Sequence, residues 1–138
     1  FQKSKVFYEM LGFKVYWPVP ETNTTEIANA VGMPSYRVEG ALMELQNAQQ
    51  RMVIDLLEWK SPKDDSPPYP NLHRPGLSRV ALASADIDAD YAFLVEQGVK
   101  VVSAPVNVIT SETSHARFFC FKDPDGTFLE LVQLITTD

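Results

Sequence analysis

Late in each half of the sequence, one carboxylate lies in apolar surroundings. Asp55 lies in the strand-like segment 51–59, and Glu130 lies in the strand-like segment 127–134. Because residues two apart in a strand share a face, each acid has apolar neighbours on its own face. A carboxylate in such a place is costly unless it is paired, hydrogen-bonded or bound to a metal. We therefore take both acids as candidate catalytic groups and metal ligands.

A third strand-like segment, residues 77–84, contains the cation Arg79. If the two halves pack with pseudo-twofold symmetry, we expect Arg79 to approach Glu130 and also Asp55. Three arrangements fit these residues: a metal held by carboxylates and a His, an anion held by Arg79, or a buried ion pair without chemistry. The anion is reasonable because a guanidinium fork suits a carboxylate or a phosphate. The residues alone leave the three open.

The other reactive side chains are few. His115 opens the strand-like segment 115–121 and shares its alternating face with Phe119, so it is either a substrate-contacting acid or base or an exposed strand-end residue. His73 lies in a proline-rich stretch and is expected to be solvated. Cys120 alternates with apolar residues and is expected to be a small buried hydrophobe.

Aromatic side chains provide apolar surface, most of it for a core and some for a ligand pocket. The candidates are Tyr16, Trp17, Tyr36, Trp59, Phe119 and Phe128. We predict that Trp59, Phe119 and Phe128 contact a substrate, together with Arg79 and His115.

Hydrophobic spacing predicts the elements that position these residues. In the first half we expect a helix over 2–11, strands over 13–17, 35–45 and 51–59, and a helical turn or a lid-like loop within 21–34. In the second half we expect strands over 77–84, 99–102, 115–121 and 127–134, an edge segment at 106–109, and a helix over 87–97. Asp86 is positioned to cap that helix, and a turn is expected at 123–126.

The two halves repeat. Phe7, Gly12, Lys14 and Val15 recur 86 positions later as Phe93, Gly98, Lys100 and Val101. Each half thus reads strand, helix, strand, strand, strand, and we expect the opening strand of the first half to be absent from this chain. The prediction is a first module over 1–59, a proline-rich linker over 60–76, and a second module over 77–138.

Composition limits the partners. The chain has 138 residues, 18 acidic and 12 basic side chains, and a formal net charge of −6. This charge argues against binding to nucleic acid or to an anionic membrane. The single cysteine fits a reducing compartment, and two histidines are few for a metalloenzyme. We expect a cytoplasmic protein with a small-molecule ligand or substrate. Its oligomeric state is left open between a single compact unit and a homodimer.

Two strings resemble a known superfamily: FYEMLGF at 7–13 and DPDGTFLEL at 123–131. They are similar to the vicinal oxygen chelate superfamily, the glyoxalase, bleomycin resistance protein and extradiol dioxygenase group. The segment 79–82 with Asp86 is similar to its second opening strand. The resemblance implies an α+β fold of two βαβββ modules, with curved mixed or antiparallel sheets forming a cleft around a divalent metal. It also implies a lyase, an isomerase or epimerase, or a dioxygenase, although some members bind a drug and hold no metal.

The resemblance implies a ligand set of one His opening each module and one Glu in each closing strand. Glu130 matches the second Glu, Asp55 falls on the first Glu position as a shorter acid, and Arg79 falls on the second His position. Arginine has no lone pair with which to ligate a metal. The implied cofactor is one divalent ion (Mn, Fe, Ni, Mg or Zn) or none. The implied function is an enzyme whose substrate oxygen is held by a metal or by Arg79, or a metal-free binding protein.

Overall fold

The proline-rich segment contains the boundary between two folded units, Phe1–Ser66 and Pro67–Asp138. They are seen in a computed structural model that describes residues 1–22, 24–77 and 79–136, with only the backbone at Thr110. Both helices and sheets are present, so the α+β prediction is confirmed. Within those residues, no helix has the length and apolar character needed to cross a bilayer.

The first unit combines two helices with a three-stranded antiparallel sheet of order β1-β2-β3. Its elements are α1 (Gln2–Met10), β1 (Phe13–Val19), α2 (Thr25–Ala30), β2 (Arg37–Leu45) and β3 (Val53–Ser61). The segment left open between a helical turn and a loop is therefore helical in α2. The hydroxyl of Thr24 accepts a hydrogen bond from the Ile27 amide at 3.4 Å and caps this helix.

Helix α1 covers one face of the first sheet. Phe13 and Met43 are fully buried on that face, and the Tyr8 ring of α1 meets the Phe13 ring edge-on at 5.8 Å. Gly12 joins α1 to β1 with φ of 95°, a conformation that glycine adopts without a Cβ penalty. Asp55 of β3 pairs with Leu42 and lies on the other face.

The second unit has the element order of a complete βαβββ module. Its elements are β4 (Val80–Ala83), α3 (Ile87–Glu96), β5 (Val106–Ser111), β6 (Ser114–Lys122) and β7 (Phe128–Thr136). The sheet order is β4-β7-β6-β5, with β4 parallel to β7 and the other neighbours antiparallel. Parallel pairing of β4 with β7 requires a crossover connection, and the intervening α3, β5 and β6 provide it.

Two expected strands differ in the structure. The predicted strand over 99–102 is reduced to a single bridge between Val101 and Phe121, so that prediction is wrong. The chain hydrogen-bonds to β6 through Lys100 and Val102, leaves the sheet before Pro105, and rejoins it as β5. The predicted strand over 77–84 is shortened to the four residues of β4.

Helix α3 covers one face of the second sheet. Phe119 and Phe121 are fully buried under it, and the Tyr91 ring meets Phe119 edge-on at 5.3 Å. The Gln133 side chain of β7 donates to the Ala85 carbonyl at 2.8 Å and accepts from the Ile87 amide at 3.2 Å. These contacts fix the start of α3 on this face of the sheet. The opposite face is not covered by α3.

The contribution of the Asp86 cap to the stability of α3 can be tested by substitution. Its carboxylate accepts from the Ala89 amide at 3.0 Å, as the sequence predicted. We expect Asp86→Ala to lower the free energy of unfolding by about 1 kcal/mol, because an amide at the helix start loses its partner. Urea denaturation followed by circular dichroism measures the change. The control is Asp86→Ser, which keeps a capping oxygen; equal stability losses in both variants would contradict this role.

Candidate functional site

The register of β7 with its neighbours assembles a row of three side chains. Glu130 pairs with Ala81 of β4 on one side and with Cys120 of β6 on the other. Directly paired residues lie on the same face of a sheet. We call the face that carries Ala81, Glu130 and Cys120 the helix-free face, because α3 packs on the opposite one.

An ion pair dominates this row. The Arg79 Nε lies 2.6 Å from the Glu130 Oε2, with 43% of the Arg79 side chain and 11% of the Glu130 side chain exposed. The expected contact between these residues is present, and it arises within one unit, because β4 and β7 are hydrogen-bonded neighbours. The expected approach of Arg79 to Asp55 involves both units and stays a prediction.

Cys120 shares the same carboxylate. Its Sγ donates to the Glu130 Oε2 at 3.8 Å, and the residue is buried. Burial, and then the negative charge of Glu130, raise the pKa of the Cys120 thiol, while the charge of Arg79 lowers it. The thiol is therefore protonated at neutral pH and acts as a hydrogen-bond donor, not as a nucleophile. The prediction of a buried cysteine is confirmed, but its contact with Glu130 was missed.

The short turn between β6 and β7 determines the position of Cys120 opposite Glu130. The Asp123 Oδ1 accepts from the backbone amides of Asp125 at 3.0 Å and Thr127 at 2.8 Å, and Gly126 has φ of 93°. Such a tight connection sets the hairpin register. Counting outward from it pairs residue 122 with 128 and residue 120 with 130, so the sequence contained this information.

His115 and Phe119 lie on the face of β6 opposite the one that carries Cys120 and Glu130. Phe119 is fully buried against α3, and His115 occupies the same side of β6 as Arg117, whose guanidinium pairs with Asp88 of α3. Successive strand residues point to opposite faces, so a face that includes Cys120 excludes both. Phe119 thus supports the helix layer, and His115 lies on the same side of β6.

Phe128 does lie on the helix-free face. It pairs with Lys122, whose Nζ stands 4.4 Å from the centre of the Phe128 ring. This is a cation–π contact at the end of the sheet that is nearest the Asp123 turn. The sequence analysis did not select Lys122. Lys122 and Cys120 share a face of β6, but only the hairpin register shows that this is the face of Glu130.

The first unit positions Asp55 and Trp59 on the face that α1 leaves uncovered. They are four residues apart in β3, and the Trp59 ring lies 4.8 Å from the Tyr36 ring. Although Asp55 is exposed, desolvation by its surroundings raises the pKa of its carboxyl group. A raised pKa suits an acid or base, and the roles predicted for both residues stay predictions.

The donor set does not fit the divalent metal that the resemblance implies. Within each unit, as far as its residues are described, no three His, Cys, Asp or Glu side chains come together as a metal site. Glu130 is paired with a cation, and that cation occupies the position where a histidine ligand is expected. His73 is exposed in the proline-rich segment.

A separate surface cavity of about 440 Å³ lies in the first unit. Its charged residues pair with one another: Arg37 contacts Glu21, and the Lys60 Nζ lies 3.0 Å from Glu39. Because the walls satisfy their own charges, this cavity offers a ligand no free ionic partner. Asp55 does not line it.

The Cys120 thiol reports on the charge of the site, since it is the single cysteine of the chain. At pH 7.5 we expect iodoacetamide to alkylate the folded protein at least about tenfold more slowly than the urea-unfolded chain, because only the thiolate reacts. Glu130→Gln should accelerate labelling, since removing the negative charge lowers the thiol pKa. Rates are measured by mass spectrometry, and labelling that Glu130→Gln leaves unchanged would contradict the contact.

The family model described as the Glyoxalase/Bleomycin resistance protein/Dioxygenase superfamily matches residues 1–131. A search of curated proteins gives no match.

Solved structures share the fold. A glyoxalase family protein from Bacillus cereus has a TM-score of 0.75 at 21% identity, covering 97% of this chain and 86% of its own. A superfamily member from Sphaerobacter thermophilus DSM 20745 has a TM-score of 0.56 at 25% identity, covering 96% and 86%. TnmS3, an antibiotic binding protein from Streptomyces sp. CB03234, has a TM-score of 0.53 at 25% identity, covering 96% and 84%. The match of the family model to most of the chain shows that this protein belongs to the glyoxalase/bleomycin resistance protein/dioxygenase superfamily.

Proposed function

We propose that the protein binds a small organic molecule on the helix-free face of its second unit, without a metal ion and with Arg79 as the charged contact. One observation carries the proposal: the Glu130 carboxylate, which is the matching ligand position, is engaged at 2.6 Å by Arg79. A carboxylate neutralised by a guanidinium orients that guanidinium, and it is a poor ligand for a second cation.

Arg79 retains binding capacity in this pairing. Its Nε contacts Glu130, and the terminal guanidinium nitrogens have no further partner in the parts of the chain that are described. With 43% of the side chain exposed, these nitrogens are accessible to a ligand oxygen. The planar fork of donors suits a carboxylate, a phosphate or a polarised carbonyl.

The likeness to an antibiotic binding protein supports binding as the function. TnmS3 shares 25% of aligned residues and 96% of this chain's length, and its name assigns it a bound antibiotic. What passes to this chain as a proposal is the use of the fold to hold a small molecule. The identity of that molecule is addressed by the chemistry of the face itself.

An enzyme is the second candidate, and the state of Asp55 favours it. The raised pKa of this acid suits general acid–base catalysis, in a lyase, an isomerase or epimerase, or a dioxygenase. In that case Glu130 and Asp55 would be the catalytic groups, or the ligands of one divalent ion.

The setting is proposed from charge and cysteine content. A net charge of −6 favours a small-molecule partner over nucleic acid or an anionic membrane, and a lone thiol suits the reducing cytoplasm. A homodimer is part of the same proposal.

Metal dependence separates the two candidates. In protein purified without chelator, we expect elemental analysis to find less than one metal ion in ten chains. We expect Mn²⁺, Ni²⁺, Zn²⁺ and Fe²⁺ each to leave the melting temperature unchanged within about 1 °C, because a ligand that does not bind the native state cannot stabilise it.

The controls are Glu130→Gln, Asp55→Asn and, as an exposed acid outside the site, Glu112→Gln. Metal at one ion per chain, with stabilisation that disappears in Glu130→Gln or Asp55→Asn but persists in Glu112→Gln, would overturn metal-free binding and establish the enzyme candidate's metal site.

A further inference from the structure

The helix-free face has a charged end next to the Asp123 turn. Lys122 and Phe128 pair there across β6 and β7. Continuing the parallel register of β4 and β7 by one residue places Arg79 on the other side of Phe128. The two cations thus flank one aromatic ring on neighbouring strands, about 10 Å apart at the usual strand spacing.

Lys122 is not neutralised by the protein. Its Nζ contacts the Phe128 ring at 4.4 Å and has no carboxylate partner within the residues that the structure describes. Arg79 has one such partner, Glu130.

Lys100, whose carbonyl accepts from the Lys122 amide at 3.1 Å, lies opposite Lys122, and Asp123 and Asp125 lie in the adjoining turn. On the face itself three cations thus outnumber one carboxylate, in a chain whose overall formal charge is −6.

The face becomes apolar away from this end. The next row, about 7 Å further along the strands, holds Glu130 between the small Ala81 and the buried Cys120. In the next two rows every paired position on this face is apolar. Those residues are Ala83, Val132, Phe118 and Val106, and then Leu134, Ala116 and Val108. The row after them, Thr136 with Ser114, is polar.

Part of this apolar region is accessible. Leu134 is 79% exposed, Val106 is 43% exposed and Val108 is 44% exposed. Ala81 and Ala83 are exposed and have short side chains, so β4 does not block access to the neighbouring surface of β7. An elongated apolar body therefore finds contact surface leading away from the cations.

We infer that the ligand is an amphipathic anion: an elongated aromatic or aliphatic body that carries a negative group, such as a carboxylate, sulfonate or phenolate. The negative group lies between Arg79 and Lys122 over Phe128, and the body extends along β7 toward Leu134. The cations at this end select a ligand with a negative group over a neutral one of the same shape. This inference rests on the proposed function and adds the ligand's charge and its direction on the sheet.

Two fluorescent probes with the same ring system test the charge requirement. Anilinonaphthalene sulfonate carries one negative group, and N-phenylnaphthylamine lacks it. Each is titrated into the full chain, and the measured quantity is the ratio of the two affinities in each variant. Using the ratio removes effects on the apolar contact that both probes share.

Three substitutions should change this ratio, two against the sulfonate and one in its favour, and a fourth is the control. Arg79→Gln should weaken sulfonate binding about tenfold or more, the effect of a lost charge-assisted hydrogen bond. Lys122→Gln should weaken it about two- to fivefold, because a flexible ammonium makes no bidentate contact of the kind that a guanidinium fork makes. Glu130→Gln should strengthen it, because the net charge rises. Lys3→Gln, an exposed lysine of α1 in the first unit, is the matched control and should change neither probe.

Loss of Arg79 leaves a buried acid unpaired, so Arg79→Lys is included as a folded variant that keeps the charge. It should retain most sulfonate binding. An affinity ratio that stays the same in Lys122→Gln and Glu130→Gln would overturn the inference while leaving ligand binding intact. Failure of both probes to bind the wild-type chain would overturn the proposed function as well.

A second copy of the chain is the other occupant that this face could take. Sedimentation velocity at rising protein concentration, with and without the sulfonate probe, measures it. A monomer–dimer equilibrium that the probe reverses, and that Leu134→Ser abolishes, would overturn the small-molecule ligand in favour of self-association. Unchanged sedimentation with saturable probe binding supports the inference.

Discussion

The tight turn between β6 and β7 is the constraint on which the site depends. Asp123 binds the amides of Asp125 and Thr127, so the hairpin has one register. That register decides which side chains meet α3 and which meet solvent or ligand. A slip of one residue would exchange the two faces: it would bury Glu130 under the helix and expose Phe119. This turn thus determines which side chains each face of the second sheet presents.

A second constraint follows from burial. Glu130 is surrounded by apolar neighbours, and an isolated carboxylate there would be strongly destabilising. Arg79 provides the compensating charge, while the Cys120 thiol adds a weak donor. The acid is then occupied in holding a cation in place, which changes what the superfamily's usual ligand position can do. Under the proposed function, the carboxylate positions a donor of hydrogen bonds to the ligand, and the cation would take the place of a metal in attracting a negative group.

Much of this arrangement is predictable from the sequence, and the part that is not has a single cause. The amphipathic helices, the Asp86 cap and most strands follow from local spacing, and the Arg79–Glu130 contact follows from two candidate strands. The faces of β6 were assigned by alternation alone, which gives two sets of residues but does not say which set meets the helix. Hairpin register resolves that choice: it puts Phe119 under α3, and His115 on the same side of β6. The strand expected at 99–102 failed because its pairing is interrupted before Pro105.

The shortness of β4 couples ligand binding to local stability. This strand has four residues, pairs only with β7, and holds Arg79 at its entrance. Short terminal pairings open more easily than the centre of a sheet. Each opening would carry the guanidinium away from the face and leave Glu130 unpaired. A ligand that contacts Arg79 binds only the closed form, so its binding energy tightens the edge of the sheet, and the weakest strand of the unit becomes the element most responsive to occupancy.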